Sequence, residues 1–377
     1  MANLPHICVV AVNIYPVLVR STEIEFVGGA EVQQTVQIRA LRRAGFKISV
    51  LVKDHGQPDL VEFEGISIYK IPSPEGRGIK GTRFIHPRLT DVVSLLRRVS
   101  PDIVYVQTAC DLVAAAGWYA RTAGKRFVFA GASDPDFKLG ALPYMSSRDS
   151  FLYRAGLKAS HGVLVQNAAQ KEMLQSNYGR EGLVMQNCYE EPEAKPGSAQ
   201  GHVIWAATVK PLKRPDLYIE LASRFPHRQF VMVGGAGVDP DSQAYYEKMA
   251  DAAKAVPNLE FVGYVPYAEV GKYFDGAALA SNTSDYEGFP NTFLQAWIRG
   301  VPMVSFVRPE ASPGVTGTIA CDDIDDMTSK YAALFDPVDD YRQWRDASAA
   351  CSRHFEIHHG IDSAVVQYRE FFEKIAA

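Results

Sequence analysis

The hydrophobic positions of this chain fall into short apolar runs separated by longer amphipathic stretches. Residues 7–12 form a continuous apolar run, the pattern of a strand buried on both faces. A loop leads to Gly28-Gly29, followed by AEVQQTVQIRALRRAG. There Val32, Val36, Ala40 and Leu41 fall on one helical stripe, and Gly45 is the stop. Strands are predicted at 47–53, 66–71, 102–107, 126–130 and 162–166. Helices are predicted at 89–99, 113–122 and 168–176. This beat is that of a doubly wound parallel sheet.

Residues 188–202 (CYEEPEAKPGSAQGH) break the rhythm with a linker-like composition. The alternation then restarts. Strands are predicted at 202–206, 229–233, 259–263, 278–282 and 302–306, and helices at 215–224, 244–255, 270–274 and 292–299. The stretch 339–377 is helical, with Tyr368, Phe371 and Phe372 in its final turns. The expected class is α/β, with two Rossmann-like doubly wound lobes facing a central cleft.

Composition agrees with a globular chain. Of 377 residues, 47% are hydrophobic and 22% charged, which excludes a disordered tail, a collagen-like fibre and a coiled coil. The five cysteines (8, 110, 188, 321 and 351) show no CxxC and read as reduced thiols of a cytoplasmic protein. No basic segment precedes the first apolar run, and no run approaches about 18 apolar residues, so neither a secretory signal nor a membrane span is expected. The expected location is cytoplasmic, at most peripheral at the inner face of the cell membrane. Net charge is −4 but uneven: residues 1–190 hold 22 Lys and Arg against 17 Asp and Glu, while the remainder holds 17 against 26. A nucleic-acid binder would be more basic, so none is expected as partner.

The most informative segment is SNTSDYEGFPNTFLQAWIRGVPMVSF, residues 281–306. Ligands of an open α/β sheet sit beyond the carboxyl ends of the strands. Here a strand runs into a polar loop ending at Glu287, then a turn at Gly288, Phe289 and Pro290. Asn291 is placed to cap the next helix. Phe293, Leu294, Trp297 and Ile298 make its apolar stripe, and Asn291, Gln295 and Arg299 a polar one. A helix start suits a phosphate, and Glu287 can accept from sugar hydroxyls. The spacing also fits a capped surface helix with solvated polar residues.

This segment closely resembles the signature of the family-4 retaining GT-B glycosyltransferases, a Glu, seven residues and a second Glu inside an EGFP…GxPVV frame. The resemblance includes Ser284, FVMVGG at 230–235, FVGYVP at 261–266, VKPLKRPDLYIELA at 209–222 and GGAEVQQTVQIRALRRAGFKISVL at 28–51. It implies a GT-B fold with an acceptor-side lobe at 1–187, a linker at 188–202 and a donor lobe at 203–354. The C-terminal helix, about 355–377, would pack back on the first lobe. It also implies transfer of a sugar from a nucleoside diphosphate sugar to a hydroxyl, with anomeric retention, in polysaccharide or glycoconjugate synthesis. Lys213 matches the lysine on the donor diphosphate and Glu287 the glutamate on the donor sugar. Gly288, Phe289, Pro290 and Asn291 match the backbone around sugar and phosphates, and Gly28 and Gly29 the glycine loop closing over the diphosphate. Similarity to bacterial surface-polysaccharide enzymes points to a glycan or lipid-linked glycan acceptor.

Four positions depart from the family pattern. Gln295 replaces the glutamate that binds ribose, although an amide both accepts and donates. Thr208 replaces an arginine five residues before the lysine, and Lys210 stands nearby to supply charge. Ser133-Asp134 stand where a histidine is usual. Asp134 suits either a hydroxyl-orienting role or a turn before Pro135. QNCYEEP at 186–192 replaces an Asn-Gly-Val-Asp.

The pairs D134-P-D136 and D239-P-D241, and the cluster D322-D-I-D-D326, resemble the metal-binding DxD of another glycosyltransferase class, but they also suit turns. No metal and no cofactor beyond the donor are expected. No protein nucleophile is evident. The resemblance implies a front-face reaction in which the leaving phosphate takes the acceptor proton, with closure about 188–202 excluding water.

Rival readings are a nucleotide-sugar epimerase or phosphorolytic enzyme on the same fold and a non-catalytic sugar-nucleotide binder. A nicotinamide dehydrogenase is a third, against which no GxGxxG follows the first strand. Finally, Arg77, Lys80, Arg83, Arg88, Arg97 and Arg98, interleaved with Phe84, Ile85 and Leu89 and opposed by Asp91 alone, suggest a surface for an anionic lipid headgroup.

Overall fold

The computed structural model describes residues 4–21, 28–79, 82–83, 85–140, 145–237, 240–287, 289–308, 317–338 and 340–377. Lys80, Phe84, Asp239 and Gly288 lie outside them. The chain divides into two compact units, Met1–Cys188 with Ile361–Ala377, and Tyr189–Gly360.

The first unit is built on eight strands: β1 (His6–Val10), β2 (Lys47–Val52), β3 (Leu60–Phe63), β4 (Ile66–Lys70), β5 (Ile103–Gln107), β6 (Arg126–Ala130), β7 (Gly162–Val165) and β8 (Leu183–Val184). Their order is β3-β4-β2-β1-β5-β6-β7-β8, parallel except for the edge pair β3–β4. Central strands β1, β2, β5 and β6 are apolar along nearly their whole length because helices cover both faces. β4 answers to the strand predicted at 66–71, but its hairpin partner β3 has no counterpart among the predicted elements. Their turn is Glu64-Gly65, both at positive φ (48° and 72°). The helix Ser147–Lys158 was likewise not predicted. Ser146 caps it, accepting from the Asp149 amide at 3.1 Å. The C-terminal helix Ile361–Ala376 belongs to this unit. Phe372 meets Phe46 and Tyr105 edge-on, with centroids at 5.9 and 5.7 Å.

The second unit holds β9 (Val203–Ala206), β10 (Phe230–Val233), β11 (Leu259–Gly263), β12 (Leu279–Asn282), β13 (Met303–Ser305) and β14 (Thr318–Ala320). They form an all-parallel sheet in the order β11-β10-β9-β12-β13-β14. The chain winds outward one way from β9, then restarts at β12 on the other side. The switch point therefore lies between β9 and β12, where ligands of such sheets collect. Trp205, Tyr218, Phe230, Met232 and Tyr331 fill the core. The Tyr218 hydroxyl reaches the carbonyls of Val203 and Val231, each at 2.9 Å, tying its helix Pro215–Arg224 to the sheet. Gly234 ends β10 where any side chain would be excluded: a Cβ there would stand 1.8 Å from the Ala207 carbonyl oxygen.

Of residues 188–202, expected as a linker, Cys188 closes the first unit and the stretch from Tyr189 belongs to the second and is docked on it. The Gly197 amide donates to the Arg299 carbonyl at 2.8 Å, Ser198 to Ala277 at 3.1 Å, and Lys195 to the Asp275 carboxylate at 3.1 Å. Linker composition identifies a segment without its own periodicity, and here its backbone finds partners on a neighbouring surface.

The basic stretch is partly neutralised. Arg77 pairs with Asp91 at 2.5 Å and Arg88 with Asp111 at 2.8 Å, and Leu89 is buried in the core. Asp111 is distant in sequence, so the local charge count hid the second pair. No helix among the described residues is long and apolar enough to cross a membrane.

Candidate functional site

Two loops meet at the switch point of the second unit. The loop after β9 makes a short 3₁₀ turn at Pro211–Lys213 and then Arg214 in the left-handed region (φ 47°, ψ 50°), which reverses the chain into the helix Pro215–Arg224. The loop after β12 runs 283–290. Thr283 stitches the two together. Its hydroxyl lies 2.8 Å from the Lys213 carbonyl and 2.9 Å from that of Arg214, and it accepts from the Trp205 indole N–H at 3.0 Å. The Asp285 amide donates to the Leu212 carbonyl at 3.0 Å. The Arg214 guanidinium lies against Asp216, at 3.0 Å, and Asp285, at 3.4 Å; these carboxylates raise its pKa.

Lys213 and Glu287 face each other across this seam. The Lys213 ammonium donates to Glu287 Oε1, and the side chains are only 16% and 11% exposed. Ser284 donates its hydroxyl to the same oxygen at 2.7 Å, and Asn282 its amide at 3.3 Å. Asn282 is itself held, accepting from the Ser284 amide at 3.0 Å. A cation for phosphate and an acceptor for hydroxyls thus stand together at the carboxyl ends of two adjacent strands.

Of the polar stripe on the helix Asn291–Trp297, Asn291 is half-buried and the other two positions are withdrawn from solvent. Gln295 is 2% exposed, and Arg299, just beyond the helix, is almost as buried. The N-cap position falls to Pro290, which offers no side-chain cap; Asn291 is the first helical residue. This corrects the expected cap: after the Phe289-Pro290 turn the helix begins one residue earlier than the spacing implied.

Phe289 points inward, its ring 6.1 Å from Trp297 and 5.1 Å from His359. Arg299 donates to both oxygens of Glu191 (2.9 and 2.7 Å), to Asp275 (2.7 Å) and to the Gln295 carbonyl (3.0 Å). Tyr189 donates its hydroxyl to Glu191 at 3.0 Å, and burial, then the Glu191 charge, pushes its phenol up. The Gln295 amide nitrogen is buried with no hydrogen-bond acceptor in good geometry among the described residues.

Lys210 precedes the 3₁₀ turn and is partly exposed. Thr208 lies on the loop between β9 and Lys210, its methyl 3.9 Å from where a Cβ of Gly237 would stand. Beyond the end of β11, a cavity of about 430 Å³ is lined by residues including Tyr264, Val265, Glu269 and Tyr273, with Tyr264 about half exposed.

Gly28, Gly29 and Asp134 belong to the first unit. Gly28 is the N-cap of the helix Gly29–Arg43 and brings no side chain to its start. Asp134 opens a 3₁₀ turn and accepts from Gln170 at 3.1 Å. Asp136 is turned inward onto the Ala132 and Ser133 amides at 2.7 and 3.2 Å. Asp323 caps the helix Ile324–Leu334, and Asp326 pairs with Lys330 at 2.7 Å. These aspartates serve as turn and cap residues.

Comparison with known proteins bears on the whole chain. Residues 27–185 match the family model described as Glycosyltransferase Family 4, and residues 201–336 that described as Glycosyl transferases group 1. The chain belongs to glycosyltransferase family 4. This is a family of retaining transferases with the GT-B fold. Over 177 residues the chain is 27% identical to D-inositol 3-phosphate glycosyltransferase of Mycolicibacterium paratuberculosis, covering 44% of this chain and 40% of that protein. Over 142 residues it is 28% identical to the Vi polysaccharide biosynthesis protein VipC/TviE of Salmonella typhi, covering 32% and 24%. The matched segments thus span less than half of these relatives.

Among solved structures, sucrose-phosphate synthase from Thermosynechococcus elongatus superposes with a TM-score of 0.74 at 13% identity, over 98% of this chain and 99% of that one. Anabaena HepE, in complex with UDP and glucose, gives 0.70 at 12% identity, over 98% and 100%. These likenesses show the GT-B fold.

Proposed function

We propose that this family-4 protein transfers a sugar from a nucleoside diphosphate sugar to a hydroxyl acceptor with retention. The observation that carries the reading is the Lys213–Glu287 pair at the switch point between β9 and β12. Lys213 takes the donor diphosphate, with Lys210 adding charge at the outer end of the loop. Glu287, held by Ser284 and Asn282, takes the sugar hydroxyls. The Gln295 amide supplies a donor for a ribose hydroxyl, and the half-exposed Tyr264 ring a face for the base. The backbone of Phe289, Pro290 and Asn291, with Gly288 assigned beside them by the resemblance alone, takes the sugar and phosphates.

Negative charge builds up on the leaving diphosphate as the sugar–oxygen bond breaks, and a positioned cation in a partly dry site stabilises it. The leaving phosphate takes the acceptor proton on the face it vacates, so no protein nucleophile is assigned. No metal is assigned either. The Gly28-Gly29 helix start and Asp134 are the first unit's candidates for diphosphate and hydroxyl contacts.

HepE was crystallised with UDP-glucose, which favours a uridine nucleotide in the first panel. The VipC/TviE likeness favours a glycan acceptor, free or lipid-linked. With Arg77 and Arg88 already paired, peripheral membrane association would fall to Arg83, Arg97 and Arg98.

Nucleoside diphosphate release from a panel of nucleotide sugars, with and without glycan and lipid-linked acceptors, tests the reading. Acceptor-dependent release supports it. Isomerised sugar, phosphate-dependent release of sugar phosphate, or binding without turnover would replace it by an epimerase, a phosphorolytic enzyme or a binding protein.

A further inference from the structure

We infer that Glu287 makes this site prefer the nucleotide sugar over the bare nucleoside diphosphate, by competing with the diphosphate for Lys213. The assignment rests on the donor reading above and adds a discrimination to it.

The cation assigned to the diphosphate is the hydrogen-bond partner of a carboxylate. Lys213 donates to Glu287 Oε1, and both side chains are largely shielded from water. The two loops cannot simply drift apart, because Thr283 and the Asp285 amide bind the second to the first. A diphosphate arriving on Lys213 therefore draws the ammonium away from a carboxylate that stays in place. Glu287 keeps only the neutral donors Ser284 and Asn282. A carboxylate left without its cation in a half-dry site is unfavourable.

The sugar changes this balance. Its hydroxyls are O–H donors, and hydrogen bonds to an ionised carboxylate are about twice as strong as neutral ones. A nucleotide sugar thus replaces at Glu287 what its diphosphate removes. The bare nucleoside diphosphate removes the ammonium and replaces nothing. Glu287 consequently acts on both ligands with opposite sign: it strengthens binding of the donor and weakens binding of the product left after transfer.

Calorimetry tests this at fixed ionic strength with UDP, ADP, GDP, CDP and dTDP and their glucose conjugates. Glu287→Gln is expected to bind the nucleoside diphosphate about tenfold tighter and its glucose conjugate weaker, as removal of a close charge partner implies. Combined with Lys213→Ala, Glu287→Gln should leave nucleoside diphosphate affinity within about twofold, because the cation competed for is gone. Glu287→Asp, which draws the carboxylate back from Lys213, should fall between wild type and Glu287→Gln, and serves if the amide variant does not fold. Unchanged or weaker nucleoside diphosphate binding in Glu287→Gln overturns the inference and leaves the donor site standing. Tightening that persists without Lys213 overturns the competition. Failure of every nucleotide and nucleotide sugar to bind wild type overturns the donor reading itself, and the inference with it.

Discussion

Arg299 holds Glu191 through both terminal nitrogens, at 2.9 and 2.7 Å, with its own side chain 1% exposed. The contact fastens the start of the second unit to the end of the helix that carries Gln295. Arg299→Ala would leave Glu191 and Asp275 without a cation in a mostly buried place, a loss of about 3 kcal/mol. Urea denaturation should show the midpoint of the second unit falling, with an unchanged slope. An unaltered midpoint would mean that solvent already satisfies both carboxylates.

Thr283→Val keeps the shape of the seam and deletes its hydroxyl. The Trp205 indole N–H then loses its acceptor, and the Lys213 and Arg214 carbonyls lose a donor. The expected cost is about 2 kcal/mol of stability. A rise in the KM for the donor should accompany it, since Lys213 rides on that carbonyl. Stability loss with an unmoved KM would make Thr283 a purely structural residue.

Lys213→Ala should reduce kcat/KM about a hundredfold through lost stabilisation of the leaving diphosphate. The lysine is a largely shielded ion-pair partner rather than the exposed loop residue that its sequence context suggests. Glu287 still retains Ser284 and Asn282 but loses its cation in a largely shielded place, so a stability cost of about 2 kcal/mol is expected, a fall of several degrees in Tm. Near wild-type turnover would remove Lys213 from the site.

Burial pushes the Cys321 and Cys351 thiols up from the ordinary 9.0 to about 12. Neither should react with a thiol reagent at pH 8 until guanidinium unfolds the chain. Because their folded pKa is raised, the stability they confer is complete below about pH 9 and is lost as pH rises from there toward 12. Unfolding free energy should accordingly fall between pH 8 and pH 10, by about 1 kcal/mol per thiol. Rapid native labelling of either cysteine at pH 8 would contradict the burial.

The long, strongly periodic elements were legible in the chain. Continuous apolar runs mark the central strands of both sheets, and Gly45 and Gly300 stop their helices at positive φ. Strand β3 was obscured because Glu62 and Glu64 interrupt a short alternation on an exposed edge, where burial imposes little pattern. At the site, Lys213 and Glu287 were readable from the family frame, but their direct pairing was not, since 74 residues separate them. Thr283 carried no signal beyond its place in a polar loop. Its importance comes from the Trp205 indole and two carbonyls brought by a different strand. Glu191 sat in a run of Glu and Pro with the composition of a tether, and only the fold brings Arg299 to it.

The account stands on the donor occupying the seam between the loops after β9 and β12. Hydrogen exchange with and without the nucleotide sugar that releases its nucleoside diphosphate reads that seam directly. Binding should slow exchange at amides 208–214 and 282–287, with residues 318–334 of the same unit unchanged. Saturating ligand that protects neither loop, or protects only amides of the first unit, would contradict the placement of the donor on Lys213 and Glu287.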